Sequence, residues 1–125
     1  MKNLIFVFSF FFFSGMLYAQ ADTTIILNED VENFAVPEEL EIEVGKTVKF
    51  MTTGAEFRIL ILDAFDIFEN EDSNVTIDLN SDSPESAIYK LKKRATSIEK
   101  IYFIFCITNN TWIEAPPRIV LNAAR

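Results

Sequence analysis

The chain of 125 residues contains no histidine and only one cysteine, Cys106. Without histidine there is no side chain that ordinarily titrates near neutral pH, and no Ser-His or Cys-His pair for nucleophilic catalysis. A single cysteine also excludes a disulfide within the chain. We therefore predict that the protein is not an enzyme. A hydrolase that uses two carboxylates, with Glu56 and Glu114 as candidates, is the remaining catalytic alternative.

Helical periodicity is scarce and glycine is rare, with three in the whole chain. Apolar and polar residues alternate instead, and turn signals separate about eight such runs in roughly 100 residues. This pattern predicts an all-β protein, a two-sheet antiparallel Greek-key sandwich. We expect residues 40–44 and 47–50 to form a hairpin or one strand with a tight bend. The nearly continuous apolar run 57–62 predicts a central strand covered on both faces.

Residues 1–21 have the pattern of a secretory signal peptide. Lys2 precedes an apolar stretch over residues 4–13, and Ala19-Gln20-Ala21 is typical of a cleavage site. Cleavage would leave residues 22–125 as a single domain without a membrane span, exported to the periplasm or secreted. Cleavage after Ala19 and an uncleaved N-terminal anchor are the alternatives.

The chain is acidic, with a formal net charge of −8, so nucleic acid is not an expected partner. Two charged clusters have alternative interpretations. The acids of the segment 63–74 fit a solvated loop better than a calcium site, because the segment has no glycine for a tight loop. A basic cluster is expected to be solvated, or else to bind a partner that carries carboxylates or sulfates; it comprises Lys90, Lys92, Lys93, Arg94 and Lys100.

Three segments resemble the cupredoxin family. Residues 36–50 resemble the family's opening strands, and the spacing of Tyr102, Ile104 and Cys106 resembles the strand that ends on the copper-binding thiolate. The proline-containing connection into residues 119–121 is similar to the family's last strand. The resemblance implies a cupredoxin-like sandwich in which Tyr102, Ile104 and Cys106 point inward, so that Cys106 is a buried, unreactive thiol.

The resemblance also implies where copper ligands should lie. Such a site takes two imidazoles, one thiolate and a weak thioether. The two histidine positions are occupied by Asn109 and by one of residues 56–58, and the segment 110–114 contains no methionine. We therefore expect no cofactor and no metal. The alternative is a metal-handling or redox accessory protein that uses Cys106 with ligands from a partner.

The other side of the same strand predicts a partner surface. If Cys106 points inward, then the apolar residues Ile101, Phe103, Phe105 and Ile107 point outward. Phe103 and Phe105, together with Trp112 and Ile113, form a candidate surface for an unknown protein or small ligand of the cell envelope. The pattern favours an alternative in which the loop 63–74 covers the outward residues as a lid, and an inverted register with the phenylalanines inward is also open. The sequence thus favours an exported, non-catalytic binding or accessory domain.

Overall fold

The computed structural model describes residues 20–123, so the predicted signal peptide, residues 1–21, lies almost wholly outside the described residues. Within that part the chain forms eleven strands and one short 3-10 turn, Ala64–Asp66. The strands are β1 Thr23–Leu27, β2 Ala35–Val36, β3 Glu39–Glu43, β4 Thr47–Thr52, β5 Phe57–Ile61, β6 Val75–Leu79, β7 Tyr89–Lys90, β8 Ile98–Ile101, β9 Phe103–Cys106, β10 Thr111–Trp112 and β11 Arg118–Asn122.

The strands pair in three ladders, in the orders β2-β1-β4-β7, β10-β9-β5-β6 and β3-β11-β8. The predicted all-β sandwich is confirmed. Most pairs are antiparallel, but β1 lies parallel to β4 and β3 lies parallel to β11. These two pairs differ from the fully antiparallel arrangement expected from the alternation, and both join strands that are not consecutive in the chain.

The turn at Gly45 separates two sheets. Gly45 has a φ of +83°, a backbone conformation that glycine adopts without the steric cost of a Cβ atom. After it, β4 pairs with β1 and β7, whereas β3 pairs with β11. The hairpin interpretation of residues 40–50 is therefore wrong, and the strand with a tight bend is correct. The chain leaves one ladder at this bend and enters another.

A second crossing occurs at Tyr102, between β8 and β9. The Tyr102 amide donates to the Pro117 carbonyl over 3.1 Å, and the chain then passes from β11 to β5 as its partner. The Tyr102 ring meets Phe50 of β4 edge-on, with ring centroids 5.6 Å apart. Burial raises the pKa of the Tyr102 hydroxyl, which has no hydrogen-bond partner among the described residues. Tyr102 thus connects the ladder of β8 to the ladder of β9 along the chain, and its ring contacts the ladder of β4.

One apolar cluster fills the interior and draws on all three ladders. Phe34 and Phe57 pack with ring centroids 5.7 Å apart, which brings the loop before β2 against β5. Along β5, Phe57, Ile59 and Ile61 are buried, while Arg58 is exposed. The prediction that this strand is covered on both faces is therefore wrong. Its outer face carries Arg58 and faces solvent.

The loop between β5 and β6 does not cover the outward apolar residues as a lid. Ile67 and Phe68 are buried in the core, and Phe68 stacks on Tyr89 with ring centroids 4.9 Å apart. Phe65 is 42% exposed, and Ile101, which the lid would cover, is 48% exposed. The apolar residues of the loop therefore complete the interior beside β7 and leave Ile101 uncovered.

Candidate functional site

In β9 the side chains alternate between the interior and the outer face, as predicted from the sequence. Tyr102, Ile104 and Cys106 are fully buried, whereas Phe103 and Phe105 are half-buried on the opposite side. Cys106 is a free thiol and lies in register with Phe57 of β5. The inward direction and the burial of Cys106 are confirmed.

The surroundings of Cys106 do not fit a copper site. Asn109, where the cupredoxin resemblance implies a histidine, is exposed in the turn after β9. Phe57, in the segment that would hold the other, is buried in the apolar core. Among residues 20–123 no three histidine, cysteine, aspartate or glutamate side chains lie close enough together to hold a metal ion. A lone buried sulfur among apolar neighbours supplies neither the nitrogen ligands nor the geometry that copper requires.

One row of side chains crosses the outer face of the β10-β9-β5-β6 ladder. In register, Trp112 lies opposite Phe105, Phe105 opposite Arg58, and Arg58 opposite Asp78. Directly opposed residues of paired strands point to the same face, so these four side chains form one line. The row is aromatic at one end and charged at the other, and we call it the outer row.

The aromatic end of the outer row is built from two contacting rings. Trp112 is 58% exposed, which is unusual for so large an apolar side chain. Its ring centroid lies 4.9 Å from that of Phe105, at an interplanar angle of 57°. Phe105 therefore supports the indole from one side and leaves much of its surface to solvent.

The charged end of the outer row is an exposed ion pair. Arg58 Nε donates to Asp78 Oδ1 over 2.6 Å, and Nη2 donates to Oδ2 over 3.3 Å. The hydrogen bond and the charge of Asp78 raise the pKa of Arg58. The two side chains are 57% and 52% exposed, so the pair adds little to stability. Its remaining N–H groups and oxygen lone pairs are open to a ligand.

Of the four residues predicted as a partner surface, three lie on the outer face of this ladder. Phe103 is half-buried beside Leu60, one row along from Phe105 and Trp112. Ile113 does not belong to the surface. It is only 9% exposed, and its amide donates to the Ile104 carbonyl over 3.1 Å, which turns its side chain into the core.

Arg58 and Asp78 were missed in the sequence. Each is a charged residue at an outward position of a strand whose alternate side chains are buried, and this pattern could have identified both. The apolar run 57–62 concealed this alternation, because Leu60 and Leu62 also point outward. Only the pairing of β5 with β6 shows that the two charges meet.

The basic cluster is largely engaged within the molecule. Lys92 Nζ donates to the Phe65 carbonyl over 2.9 Å, and Arg94 Nη1 donates to the Asp66 carbonyl over 2.9 Å. Lys100 Nζ donates to Asp66 Oδ2 over 2.8 Å. Three of the five basic residues thus donate hydrogen bonds to carbonyl and carboxylate oxygens of the 3-10 turn. Their bonds favour a structural role over binding of an anionic partner.

This arrangement predicts an acid-sensitive contribution to stability. The hydrogen bond from Lys100 lowers the pKa of Asp66, and the charges of Lys100, Arg94 and Lys92 act in the same direction. Because the folded-state pKa is lowered, the contribution is fully present above the ordinary aspartate pKa of about 4 and is lost as the pH falls through the lower folded value. We expect Asp66→Asn to reduce the free energy of unfolding at pH 7 by up to about 1 kcal/mol, since solvent screens the pair.

Urea denaturation at pH 7 and pH 3 measures this effect. The difference between wild type and Asp66→Asn should shrink at pH 3. Asp72→Asn is the matched control, because Asp72 lies in the same loop and is exposed. An equal loss of stability in both variants at pH 7 would contradict the specific role of Asp66.

Comparisons with known proteins returned neither a matching family model nor a matching curated protein. Solved structures do resemble the chain. A reduced Cu(I) form of an amicyanin variant at pH 4 aligns with a TM-score of 0.49 and 10% identity, covering 83% of this chain and 85% of that chain. A Cu(I) form of another amicyanin variant aligns with a TM-score of 0.47 and 13% identity, over 83% and 85%. At these identities and scores the likeness carries neither copper nor activity over to this chain.

Within residues 20–123 no helix has the length and hydropathy that crossing a membrane requires.

Proposed function

We propose that this protein is a non-catalytic binding or accessory domain, secreted or periplasmic, whose cupredoxin-like sandwich has lost the copper site and acts through its outer row. The observation that carries the proposal is the exposure of Trp112, 58%, in contact with Phe105 on an open sheet face. Tryptophan is enriched among the few residues that supply most of the energy of a binding interface.

The aromatic pair is suited to binding because its position is already fixed. β10 pairs with β9 through Thr111–Cys106 and Trp112–Phe105, so the backbone beneath both rings is part of the sheet. A side chain that is held before the ligand arrives loses less conformational entropy on binding. The exposed indole surface can then be desolvated against a ligand at low cost.

The metal-handling alternative requires Cys106 to meet ligands from a partner. Cys106 is fully buried, and its strand lies between β10 and β5. A partner's ligands would reach the sulfur only after β9 had been pulled from the sheet. The burial of Cys106 therefore supports the binding module over the alternative.

Two measurements test the proposal. In the first, Cu(I) and Cu(II) are added to the purified protein and to Cys106→Ala, and we expect neither micromolar binding nor a strong visible charge-transfer band that depends on Cys106. Such a band in the wild type, lost in Cys106→Ala, would contradict the loss of the copper site.

In the second measurement, immobilised wild type, Trp112→Ala and Ile88→Ala are used to retain ligands from envelope and secreted fractions. Ile88 is 42% exposed and lies just before β7, away from the outer row, so Ile88→Ala is the control for loss of an exposed apolar side chain. We expect a ligand that is retained by the wild type and Ile88→Ala and is lost with Trp112→Ala. Equal retention by all three proteins would remove the outer row from the proposal.

A further inference from the structure

We propose that the outer row binds an uncharged carbohydrate chain, an inference that rests on the binding function proposed above and names the ligand class. The row combines an exposed aromatic surface with hydrogen-bonding groups along a single line. Trp112 and Phe105 form the aromatic half, and Arg58 and Asp78 form the polar half. Sugar rings present apolar C–H faces together with hydroxyl groups at their edges, which is the complement of this row.

The size of the face favours a narrow ligand over a folded protein. Adjacent strands lie about 4.8 Å apart, and outward residues of one strand recur about every 6.6 Å. Four strands and two rows of side chains therefore present on the order of 300 Å². A stable protein partner, or a second copy of this chain, needs about 800 Å² on each side. An extended chain lying along the outer row needs a contact area no larger than the one this face provides.

The charges of the face favour an uncharged ligand. Arg58 and Asp78 neutralise each other through two hydrogen bonds, at 2.6 and 3.3 Å. A charged ligand would have to compete with one of these partners, whereas hydroxyl groups can bond to the N–H groups and lone pairs that the pair leaves open. The surrounding chain carries a net charge of −8, which further disfavours polyanions.

The aromatic half supplies a surface for the apolar faces of sugar rings. Trp112 and Phe105 are inclined at 57° to each other with centroids 4.9 Å apart, so their exposed parts form a shallow angled surface. Leu60 and Phe103, half-buried in the adjacent row, extend the apolar area beside it. A ring seated on Trp112 would have its neighbours directed along the row toward Arg58.

The test uses residues 22–125. Isothermal calorimetry measures the binding of neutral hexasaccharides of glucose, mannose, xylose and N-acetylglucosamine. We expect at least one of them to bind. Trp112→Ala should weaken that binding roughly tenfold or more. Arg58→Met should weaken it several-fold, through loss of hydrogen bonds to the ligand.

Matched controls separate the outer row from general surface effects. Arg118 forms an ion pair with Glu99 at 2.7 Å, with side chains 47% and 46% exposed, in a different ladder. Arg118→Met and Ile88→Ala should therefore leave the binding unchanged. An oligogalacturonate, which carries carboxylates, should bind more weakly than the neutral chains. Circular dichroism confirms that each variant is folded.

The outcomes distinguish this inference from the proposed function. The inference is overturned if no neutral hexasaccharide binds at millimolar concentration, or if Trp112→Ala binds as the wild type does. If a protein is retained by the wild type, is lost with Trp112→Ala and is not displaced by the hexasaccharides, the carbohydrate inference fails and the binding function stands. If Trp112→Ala changes neither kind of binding, the carbohydrate inference fails and the outer row is removed from the proposed function.

Discussion

Phe57→Ala is expected to lower the free energy of unfolding by about 3–5 kcal/mol. Phe57 is fully buried and begins β5, the strand between β9 and β6. It lies in register with Leu79 and Cys106 and packs against Phe34, with ring centroids 5.7 Å apart. Removing the ring loses the free energy gained by transferring it from water to the core. It also leaves a cavity that β5 cannot fill by shifting, because β9 and β6 hold it on both sides.

Urea denaturation followed by far-UV circular dichroism measures the effect, with Phe65→Ala as the matched control. The same group is deleted there from a side chain that is 42% exposed, so the change should stay within about 0.5 kcal/mol. If the two variants lose similar stability, the packing of β5 described here is incorrect.

Modification of Cys106 by a thiol reagent is expected to be at least about a thousandfold slower in the native protein than in the unfolded chain. Cys106 is fully buried, so the reagent reaches the sulfur only in molecules that have opened or unfolded. The unfolded fraction of a stable domain is about 10⁻³ to 10⁻⁶, which sets the expected ratio. The release of a chromophore from an aromatic disulfide reagent, with and without denaturant, provides the rates.

A cysteine moved to the adjacent turn serves as the control. Asn109 is exposed, so the double variant Cys106→Ala with Asn109→Cys should react at nearly the rate of an unfolded thiol. Rapid reaction of the wild-type protein would show that the sulfur is accessible. It would also restore the alternative in which Cys106 meets ligands from a partner.

The sequence predicted local features of this fold well. The cupredoxin resemblance correctly placed Cys106 in the interior, and the alternation then placed Tyr102 and Ile104 on the same side, because side chains of a strand repeat with a period of two. The alternating runs 40–44 and 47–50 were also identified correctly as strands, and they correspond to Glu39–Glu43 and Thr47–Thr52. Each of these features depends on neighbours within a few positions of the chain.

The pairings between distant strands could not be read from the sequence. Of the two interpretations open at Gly45, the hairpin was wrong because β3 pairs with β11, near the other end of the chain. Alternation indicates that a strand has one buried face, but it does not identify the strand that lies beside it. The same limit concealed the pair of Arg58 and Asp78, which are brought together by the register of β5 and β6.

The candidate surface was predicted in part for the same reason. Alternation placed Phe103 and Phe105 on the outward side, whereas Trp112 and Ile113 were added from the segment after the turn without any strand pattern. Ile113 was misplaced because β10 ends at Trp112, and the next amide bonds to the Ile104 carbonyl. A strand of two residues leaves no periodic pattern from which the direction of the following side chain could be inferred.

Within residues 20–123, β3 pairs only with β11, and no strand of that segment covers its other edge. Glu39, Glu41 and Glu43 are exposed along it. If β3 of a second molecule paired with this edge, its three glutamates would lie beside those of the first. The repulsion between the two sets of carboxylates opposes fibril-like growth. Concentrated solutions should therefore remain free of aggregates at low ionic strength. Self-association should increase as added salt screens that repulsion.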